Sequence, residues 1–90
     1  CQFDLDRGEL TRDGAVVRLT SQEGSLLRTL AANPGVTLTR EELIRQSGIE
    51  TNERAIDVQV TRLRRKIEAD PRMPRFLQTV RGAGYVLRPE

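Results

Sequence analysis

The sequence predicts an α+β domain in which a small antiparallel sheet precedes three helices and a C-terminal β-hairpin. Three observations lead to this fold class: period-two alternation with turn signals in residues 1–19, two helix-capping boxes followed by a longer amphipathic segment, and two β-rich runs joined by a glycine-rich turn. The 90 residues contain no repeat. We therefore expect one domain, residues 1–90, with a single compact core.

The N-terminal segment alternates apolar and polar residues, as half-buried strands do. A first strand alternates around Phe3 and Leu5, Leu10 begins a second strand, and residues 15–19 form a third. Residues 13–14, Asp-Gly, are a strong hairpin signal because both central residues of a type I′ turn need positive φ. We expect these strands to form an antiparallel sheet with one face covering the helices.

Two helices begin at capping boxes, in which a Thr hydroxyl accepts from a helical amide and a Glu side chain accepts from the amide of the cap. The boxes are residues 20–23 and 39–42, and the helices that follow end at residues 33–35 and near Gly48. Asn, Pro and Gly at the first of these ends cannot continue a helix well. Both helices are therefore bounded by local sequence signals.

The third helix is predicted to be the longest, from a cap at Asn52 to about Asp70, where Pro71 prevents its continuation. Apolar residues recur along it at i, i+4, i+7 and i+11, which places them on one narrow face that we expect to be buried. That face consists of Ile56, Val60, Leu63 and Ile67. The opposite face carries Arg54, Val58, Thr61, Arg62 and Arg65, with Arg64 and Lys66 on its flanks.

Basic charge is concentrated in the last third of the chain. Residues 1–53 carry six Arg and nine acidic residues, a net charge of −3, whereas residues 54–88 carry eight Arg and one Lys against three acidic residues, a net charge of +6. The planar guanidinium of Arg suits bidentate contacts to phosphate and guanine. A basic helix followed by a hairpin with Arg81 at its tip indicates contact with the DNA major groove and the adjacent minor groove. The alternative is that the basic face of this helix is only solvated and binds no partner.

Other polar residues near this surface have structural interpretations as well. Asp57 could accept from cytosine N4, orient a neighbouring arginine, or act as a helix-dipole acid. Tyr85 is expected to pack, with its hydroxyl available to a phosphate. For Gly82 and Gly84, a tight turn that needs positive φ is preferred over a phosphate loop.

Composition excludes several kinds of site. The chain has no His, and its single cysteine, Cys1, is terminal, so a disulfide framework, a CxxC metal site and a His-based catalytic triad are excluded. We expect no enzyme activity, cofactor or metal. No apolar run indicates a signal segment or a membrane span, and a reducing cytoplasm is the default. Because the chain begins without Met, we interpret it as a fragment of a longer protein.

Several motifs along the chain stand in the order of a known family. They are Leu19-Thr20 with Glu23 and Leu26-Leu27, Asn33-Pro34-Gly35, Thr39-Arg40-Glu41-Glu42-Leu43, the run at residues 54–66, and the run at residues 78–85. Along essentially its whole length the chain resembles the DNA-binding effector domain of OmpR/PhoB-type response regulators. The resemblance implies a winged helix-turn-helix with an N-terminal four-stranded sheet, three helices and a C-terminal wing.

The resemblance also implies function: sequence-specific binding of double-stranded DNA by the output domain of a two-component regulator in the cytoplasm. The family's contacting positions correspond to Arg54, Asp57, Thr61, Arg62, Arg64, Thr79, Arg81 and Tyr85. Family members bind direct repeats as head-to-tail homodimers, controlled by phosphorylation of an aspartate in a separate receiver domain. Gln59 stands where relatives often have His, and we assign it no contact.

The segment between the second and third helices departs from the family. This segment, residues 46–52, is short and contains no aromatic residue, whereas many relatives have a longer loop there that contacts RNA polymerase. Contact with RNA polymerase through this loop is therefore left open. Repression by occlusion, and activation through another surface, are the other possibilities.

Three alternatives remain at this point. A winged-helix module can bind protein or structured RNA, because fold does not fix function. The same domain occurs in membrane-anchored one-component regulators, which only the sequence N-terminal to this chain would reveal. An enzyme is the least favoured, because no paired carboxylates occupy a predictable cleft.

Overall fold

The computed structural model describes residues 2–4, 6–48 and 50–88, so that Cys1 and Leu5 lie outside the described residues. The predicted α+β class and order of elements are confirmed. The strands and helices are β1 (Gln2–Asp4), β2 (Glu9–Arg12), β3 (Ala15–Val17), α1 (Ser21–Ala32), α2 (Arg40–Ser47), α3 (Glu53–Ile67), β4 (Leu77–Val80) and β5 (Gly84–Leu87).

The N-terminal sheet is antiparallel, in the order β1-β2-β3, with Phe3 opposite Leu10 and Leu10 opposite Val17. These three side chains share one face, as the pleat requires, and that face packs on the core. The predicted turn is confirmed, since Asp13 and Gly14 have φ of 52° and 80°.

Two expectations about this sheet are corrected. The described residues form three strands in it, whereas the resemblance implied four. The third strand ends at Val17 instead of residue 19. The early end of β3 has two causes. Thr20 serves as the cap of α1, and the carbonyl of Arg18 accepts from the Lys66 ammonium at 2.8 Å instead of pairing in a strand.

The helix caps are as predicted. In α1 the Thr20 hydroxyl accepts from the amide of Glu23 at 3.1 Å, and the Glu23 carboxylate accepts from the amide of Thr20 at 2.9 Å. The same reciprocal pair starts α2 at Thr39, and Gly48 ends that helix in the left-handed conformation. The Asn52 side chain caps α3 by accepting from a backbone amide at 2.9 Å.

The end of α3 differs from the prediction. The helix stops at Ile67, three residues before Asp70, because Glu68 adopts an extended conformation and its buried carboxylate accepts backbone N–H groups from the segment that leads into β4. The donors are Arg75 and Leu77, both at 2.8 Å, and Phe76 at 3.0 Å. A tertiary interaction at Glu68, not Pro71, therefore decides where the helix ends.

The predicted buried face of α3 is confirmed, since its four apolar residues are at most 5% exposed. They pack between α1, α2 and the C-terminal hairpin, in a core supplied almost entirely by aliphatic side chains. The most buried members outside α3 are Leu10, Leu26, Leu27, Leu30, Leu43, Leu77 and Val86. This packing fixes which side of α3 faces solvent.

The C-terminal hairpin is attached to the segment before α2. Leu38 and Tyr85 exchange two backbone hydrogen bonds, of 2.8 and 2.9 Å. The two glycines of the turn have different roles: Gly82 has φ of 74° with open space around it, whereas a Cβ on Gly84 would lie 2.0 Å from the Leu38 carbonyl oxygen. The turn explanation therefore holds for Gly82, while Gly84 also permits a close approach of two backbones.

Candidate nucleic-acid interface

The outward face of α3 is as exposed as the periodicity predicted. Arg54, Thr61, Arg62 and Arg65 are exposed, and Val58 is 45% exposed. No hydrogen bond or ion pair joins the guanidinium groups of these three arginines to other described residues. Their charge is available to a partner outside the domain.

One flank of this face is tied to α1. The Lys66 ammonium donates to the Glu23 carboxylate at 2.5 Å and to the Arg18 carbonyl at 2.8 Å. Burial raises the pKa of Glu23, but the hydrogen bonds from Lys66 and Thr20 outweigh it and leave that pKa below its ordinary value. Glu23 is therefore ionised at neutral pH, and Lys66 neutralises it instead of contributing to the basic surface.

Gln59 lies on the same flank. It is only 9% exposed, and its side-chain amide donates to Gln22 of α1 at 2.8 Å. The Gln59 side-chain oxygen is buried without a hydrogen-bond partner among the described residues. The Gln59 side chain therefore faces α1.

The other flank of α3 is tied to the hairpin. Arg64 donates from Nε to the Leu77 carbonyl at 2.9 Å and from Nη2 to the Thr79 hydroxyl at 2.6 Å. Thr79 is paired with Tyr85 across the strands, so both side chains share the hairpin face that meets α3. Arg64 and Thr79, predicted separately as DNA contacts, thus hold the helix and the wing together.

Asp57 and Tyr85 belong to this junction as well. The Asp57 Oδ1 atom accepts from Arg40 Nε at 2.7 Å and from the Tyr85 hydroxyl at 2.5 Å. Of the interpretations offered for Asp57, the structure shows the one in which it orients an arginine. The Tyr85 hydroxyl donates to Asp57, and the residue is 5% exposed, so packing is confirmed and availability of the hydroxyl to a phosphate is not.

The protonation states keep this junction intact at neutral pH. Burial raises the pKa of Asp57, but hydrogen bonds from Arg40 and Tyr85 lower it further, and the net shift is downward. Burial, followed by the hydrogen bond to Asp57, raises the pKa of Tyr85. The carboxylate is therefore ionised, and the phenol keeps the proton that it donates.

Arg81 lies at the exposed tip of the hairpin, two residues after Thr79. It makes no hydrogen bond or ion pair within the described part of the chain. Since the Thr79–Tyr85 face of the hairpin contacts α3, the wing stands beside the basic helix. The two elements are joined through Arg64 and Asp57.

Two functional side chains were not predicted from the sequence. Arg40, the first residue of α2, precedes its partner Asp57 by seventeen positions, and Glu68 reaches amides seven to nine positions ahead. In each case the partners lie in different elements, so the periodicity of a single helix or strand does not reveal the contact. The capping box that contains Arg40 drew attention to its neighbours, Thr39 and Glu42, and no local signal marked the arginine.

Among the residues in the described ranges, no helix is both long and apolar enough to cross a bilayer, and no group of potential ligands could hold a metal ion.

Comparison with known proteins identifies relatives of the chain. Residues 14–87 match the family model described as "Transcriptional regulatory protein, C terminal". Protein PetR of Rhodobacter capsulatus is 52% identical over 97 residues, which cover 99% of this chain and 41% of PetR. Regulatory protein VirG of Agrobacterium fabrum is 42% identical over 79 residues, which cover 84% of this chain and 31% of VirG. The chain thus spans about two fifths or less of these relatives.

The PetR alignment, at 97 positions, is seven longer than the 90-residue chain, so PetR carries residues that have no counterpart here. Among solved structures, the DNA-binding domain of RstA from Klebsiella pneumoniae, in complex with the RstA box, has a TM-score of 0.83 and 27% identity and covers 98% of this chain and 90% of that one. The DNA-binding domain of CpxR from E. coli has a TM-score of 0.76 and 31% identity, covering 96% and 87%.

The matched family consists of transcription regulators and is not an enzyme family. The family match covers most of the chain, and the fold agrees with solved domains of response regulators along nearly all of it. The chain therefore belongs to the family of transcriptional regulatory protein C-terminal domains and has the winged helix-turn-helix fold of OmpR/PhoB-type response-regulator effector domains.

Proposed function

We propose that this domain binds double-stranded DNA sequence-specifically, as the output domain of a two-component response regulator. The observation that carries the proposal is the set of exposed guanidinium groups without partners among the described residues, on α3 and on the adjoining wing. They are Arg54, Arg62, Arg65 and Arg81. Four arginines with no internal role, on two joined elements, fit a polyanionic partner. The DNA-binding domains of RstA and CpxR support the same conclusion.

The exposed face of α3 supplies the groups that base recognition needs. An α-helix with its side chains is about 10–12 Å in diameter, which fits a major groove that is about 12 Å wide. The 15 residues of α3 give it a length of about 22 Å along that groove. Arg62 is the candidate for guanine N7 and O6, and Val58 for a thymine methyl group. The Thr61 hydroxyl donates to the Asp57 carbonyl at 2.9 Å, which leaves its oxygen free to accept and its methyl free to pack.

Asp57 keeps one carboxylate oxygen for DNA. Both protein donors bind Oδ1, and the side chain is 44% exposed, so Oδ2 can accept from cytosine N4. Arg54 and Arg65 are assigned to phosphates, and Arg81 to the minor groove. Arg64, Thr79 and Tyr85, with their polar groups bound within the domain, contribute chiefly by holding the wing against α3.

This assignment predicts a salt dependence. If each of the four arginines without internal partners displaces about one counterion, whether it contacts a phosphate or lies in a groove, affinity should fall roughly a hundredfold between 50 and 200 mM salt. Six contacts, with Arg64 and Arg75 included, would give about a thousandfold. Since Arg64 is bound to the wing, we expect the smaller value.

The test compares two arginines of the same helix face. After selection of a cognate site from a random duplex library, affinities for cognate and scrambled duplexes are measured by fluorescence titration. Arg62→Ala should cost about 1–3 kcal/mol on the cognate site and relax base preference, whereas Arg54→Ala should weaken binding to both duplexes alike. Arg45→Ala, on the far end of α2, is the control for loss of one positive charge. Equal losses on both duplexes for Arg62→Ala would refute direct readout.

The remainder of the parent protein is proposed from the family. A receiver domain would precede this domain, phosphorylation there would control it, and direct repeats would be occupied by head-to-tail homodimers in the cytoplasm. The short α2–α3 segment gives no support to RNA polymerase contact through a long loop. A promoter reporter, with the site placed over or upstream of the promoter, separates repression by occlusion from activation through another surface.

A further inference from the structure

The C-terminal end of α3 is held by a residue of the N-terminal sheet. Arg12, the last residue of β2, donates from Nη1 to the Lys66 carbonyl at 3.2 Å, across 54 positions of the chain. In a longer helix that carbonyl would accept from an amide four residues ahead, but α3 ends at Ile67. Arg12 therefore supplies a hydrogen-bond donor, and a positive charge, to the negative end of the helix dipole.

The Lys66 side chain makes contacts in the opposite direction, from α3 to the N-terminal part of the chain. Its ammonium donates to the Arg18 carbonyl, just after β3, at 2.8 Å and to the buried Glu23 carboxylate of α1. Lys66 is therefore bound through its backbone to β2 and through its side chain to the start of α1.

The contacts between α3 and the wing lie elsewhere on the helix end. Arg64 binds β4 on the other flank of α3, and Glu68 binds the amides that lead into that strand. The end of α3 is thus held between two attachments, one to the wing and one to the N-terminal part of the chain. If the bond from Arg12 is lost, the second attachment depends on the Lys66 side chain alone.

Arg62 depends on the position of this helix end, because it lies one helical turn before Lys66 on the same side of α3. A binding site of this kind must hold its groups to within about 0.5 Å of the productive geometry. Asp57, which joins α3 to α2 and the wing, precedes Arg62 by about 7.5 Å along the helix axis. A tilt of α3 by about 4° around Asp57 therefore displaces the Arg62 backbone by about 0.5 Å.

We propose that Arg12 is a positioning residue for base recognition, which fixes the end of α3 through the Lys66 carbonyl and thereby places Arg62 against its base pair. Arg12 is half-buried, and its guanidinium has no other hydrogen-bond partner among the described residues. This inference rests on the proposed DNA-binding function. It gives the N-terminal sheet, to which no DNA contact is assigned, an influence on sequence preference.

Other roles for Arg12 predict different results. If Arg12 contributed only to stability, its loss would lower the melting temperature and leave the base preference of the folded domain unchanged. If Arg12 bound DNA directly, its loss would make the slope of log affinity against log salt less steep, because each phosphate contact contributes about −0.9 to that slope. A positioning role predicts a change in base preference with the salt slope of the parent.

The experiment measures affinities for the cognate duplex and for duplexes with single base-pair changes, and R62A identifies the base pair that Arg62 reads. One arginine–guanine contact supplies about 5- to 150-fold discrimination, and R12Q should reduce the discrimination at that base pair by about three- to tenfold. R12K keeps a donor for the carbonyl and should retain most of the parent preference.

Two control variants separate positioning from charge and from stability. R7Q removes an exposed charge from the turn between β1 and β2 and should match the parent. G35A strains a residue with φ of 75° in the segment between α1 and α2, so it should lower the melting temperature without changing base preference. All affinities are measured well below the melting temperature of each variant, as determined by circular dichroism.

A double substitution tests whether Arg12 acts through Arg62. In the R62A background, R12Q should cause no further change in base preference, because the contact that Arg12 positions is already absent. Parent base preference in R12Q, an equal change in the parent and R62A backgrounds, or a less steep salt slope in R12Q would overturn the positioning role while DNA binding by the domain stands. If the parent does not distinguish cognate from scrambled duplexes, the proposed function fails and this inference fails with it.

Discussion

The buried carboxylate of Glu68 is the interaction that joins the end of α3 to the wing, and Glu68→Gln tests it. In the parent, Oε1 accepts from Arg75 at 2.8 Å, and Oε2 accepts from Phe76 at 3.0 Å and from Leu77 at 2.8 Å. Glutamine has the same shape but only one acceptor oxygen. Its NH₂ group must therefore face at least one backbone N–H group in a position that is 2% exposed.

The expected loss of stability follows from the backbone N–H groups that are left without an acceptor. A buried donor that loses its partner costs about 1–3 kcal/mol, and hydrogen bonds to a charged acceptor are at the upper end of the range for such bonds. With one or two donors affected, we expect Glu68→Gln to lower the free energy of unfolding by about 2–4 kcal/mol. For a domain of this size, about 1 kcal/mol shifts the melting temperature by roughly 4–8 °C, so the loss should be about 10 °C or more.

Circular dichroism melts and urea titrations measure this change. Glu50→Gln is the control, since Glu50 is exposed in the segment before α3 and should change stability by less than about 0.5 kcal/mol. A Glu68→Gln domain that melts within about 2 °C of the parent would show that the three amides do not depend on the carboxylate. In that case the early end of α3 would need another explanation.

Two further predictions concern the close approach of Gly84 to Leu38 and the dependence of stability on Glu23 at acidic pH. Gly84→Ala places a Cβ 2.0 Å from the Leu38 carbonyl oxygen and should lower the free energy of unfolding by about 2–3 kcal/mol, as measured by urea titration. Gly82→Ala, in open space, should lower it only by the αL strain of about 1–2 kcal/mol. Equal losses for the two variants would exclude the close approach as the cause. Because the folded pKa of Glu23 lies below its ordinary 4.5, its contribution is present above that pH and is lost as pH falls through the folded pKa. The stability difference between parent and Glu23→Gln should therefore shrink as pH is lowered from 6 to 3, and a constant difference would show that Lys66 does not stabilise the carboxylate.

The sequence predicted most of the fold because the relevant interactions are local. Caps at Thr20, Thr39 and Asn52 act on amides three residues away, and the apolar spacing of α3 depends only on the helical repeat. The resemblance was correct about the family and wrong about one detail, since the described N-terminal sheet has three strands instead of four. The third strand also ends at Val17 instead of residue 19, and that end depends on what Arg18 and Thr20 contact.

Sequence alone also determined that a basic run lies opposite the buried face of the longest helix, since the helical repeat fixes which residues share a face. Only the tertiary structure decided how the run divides: Arg62 and Arg65 are available to a partner, whereas Arg64 binds the wing and Lys66 binds α1. The physical reason is that their acceptors lie 13 and 43 positions away along the chain, beyond the reach of any local pattern.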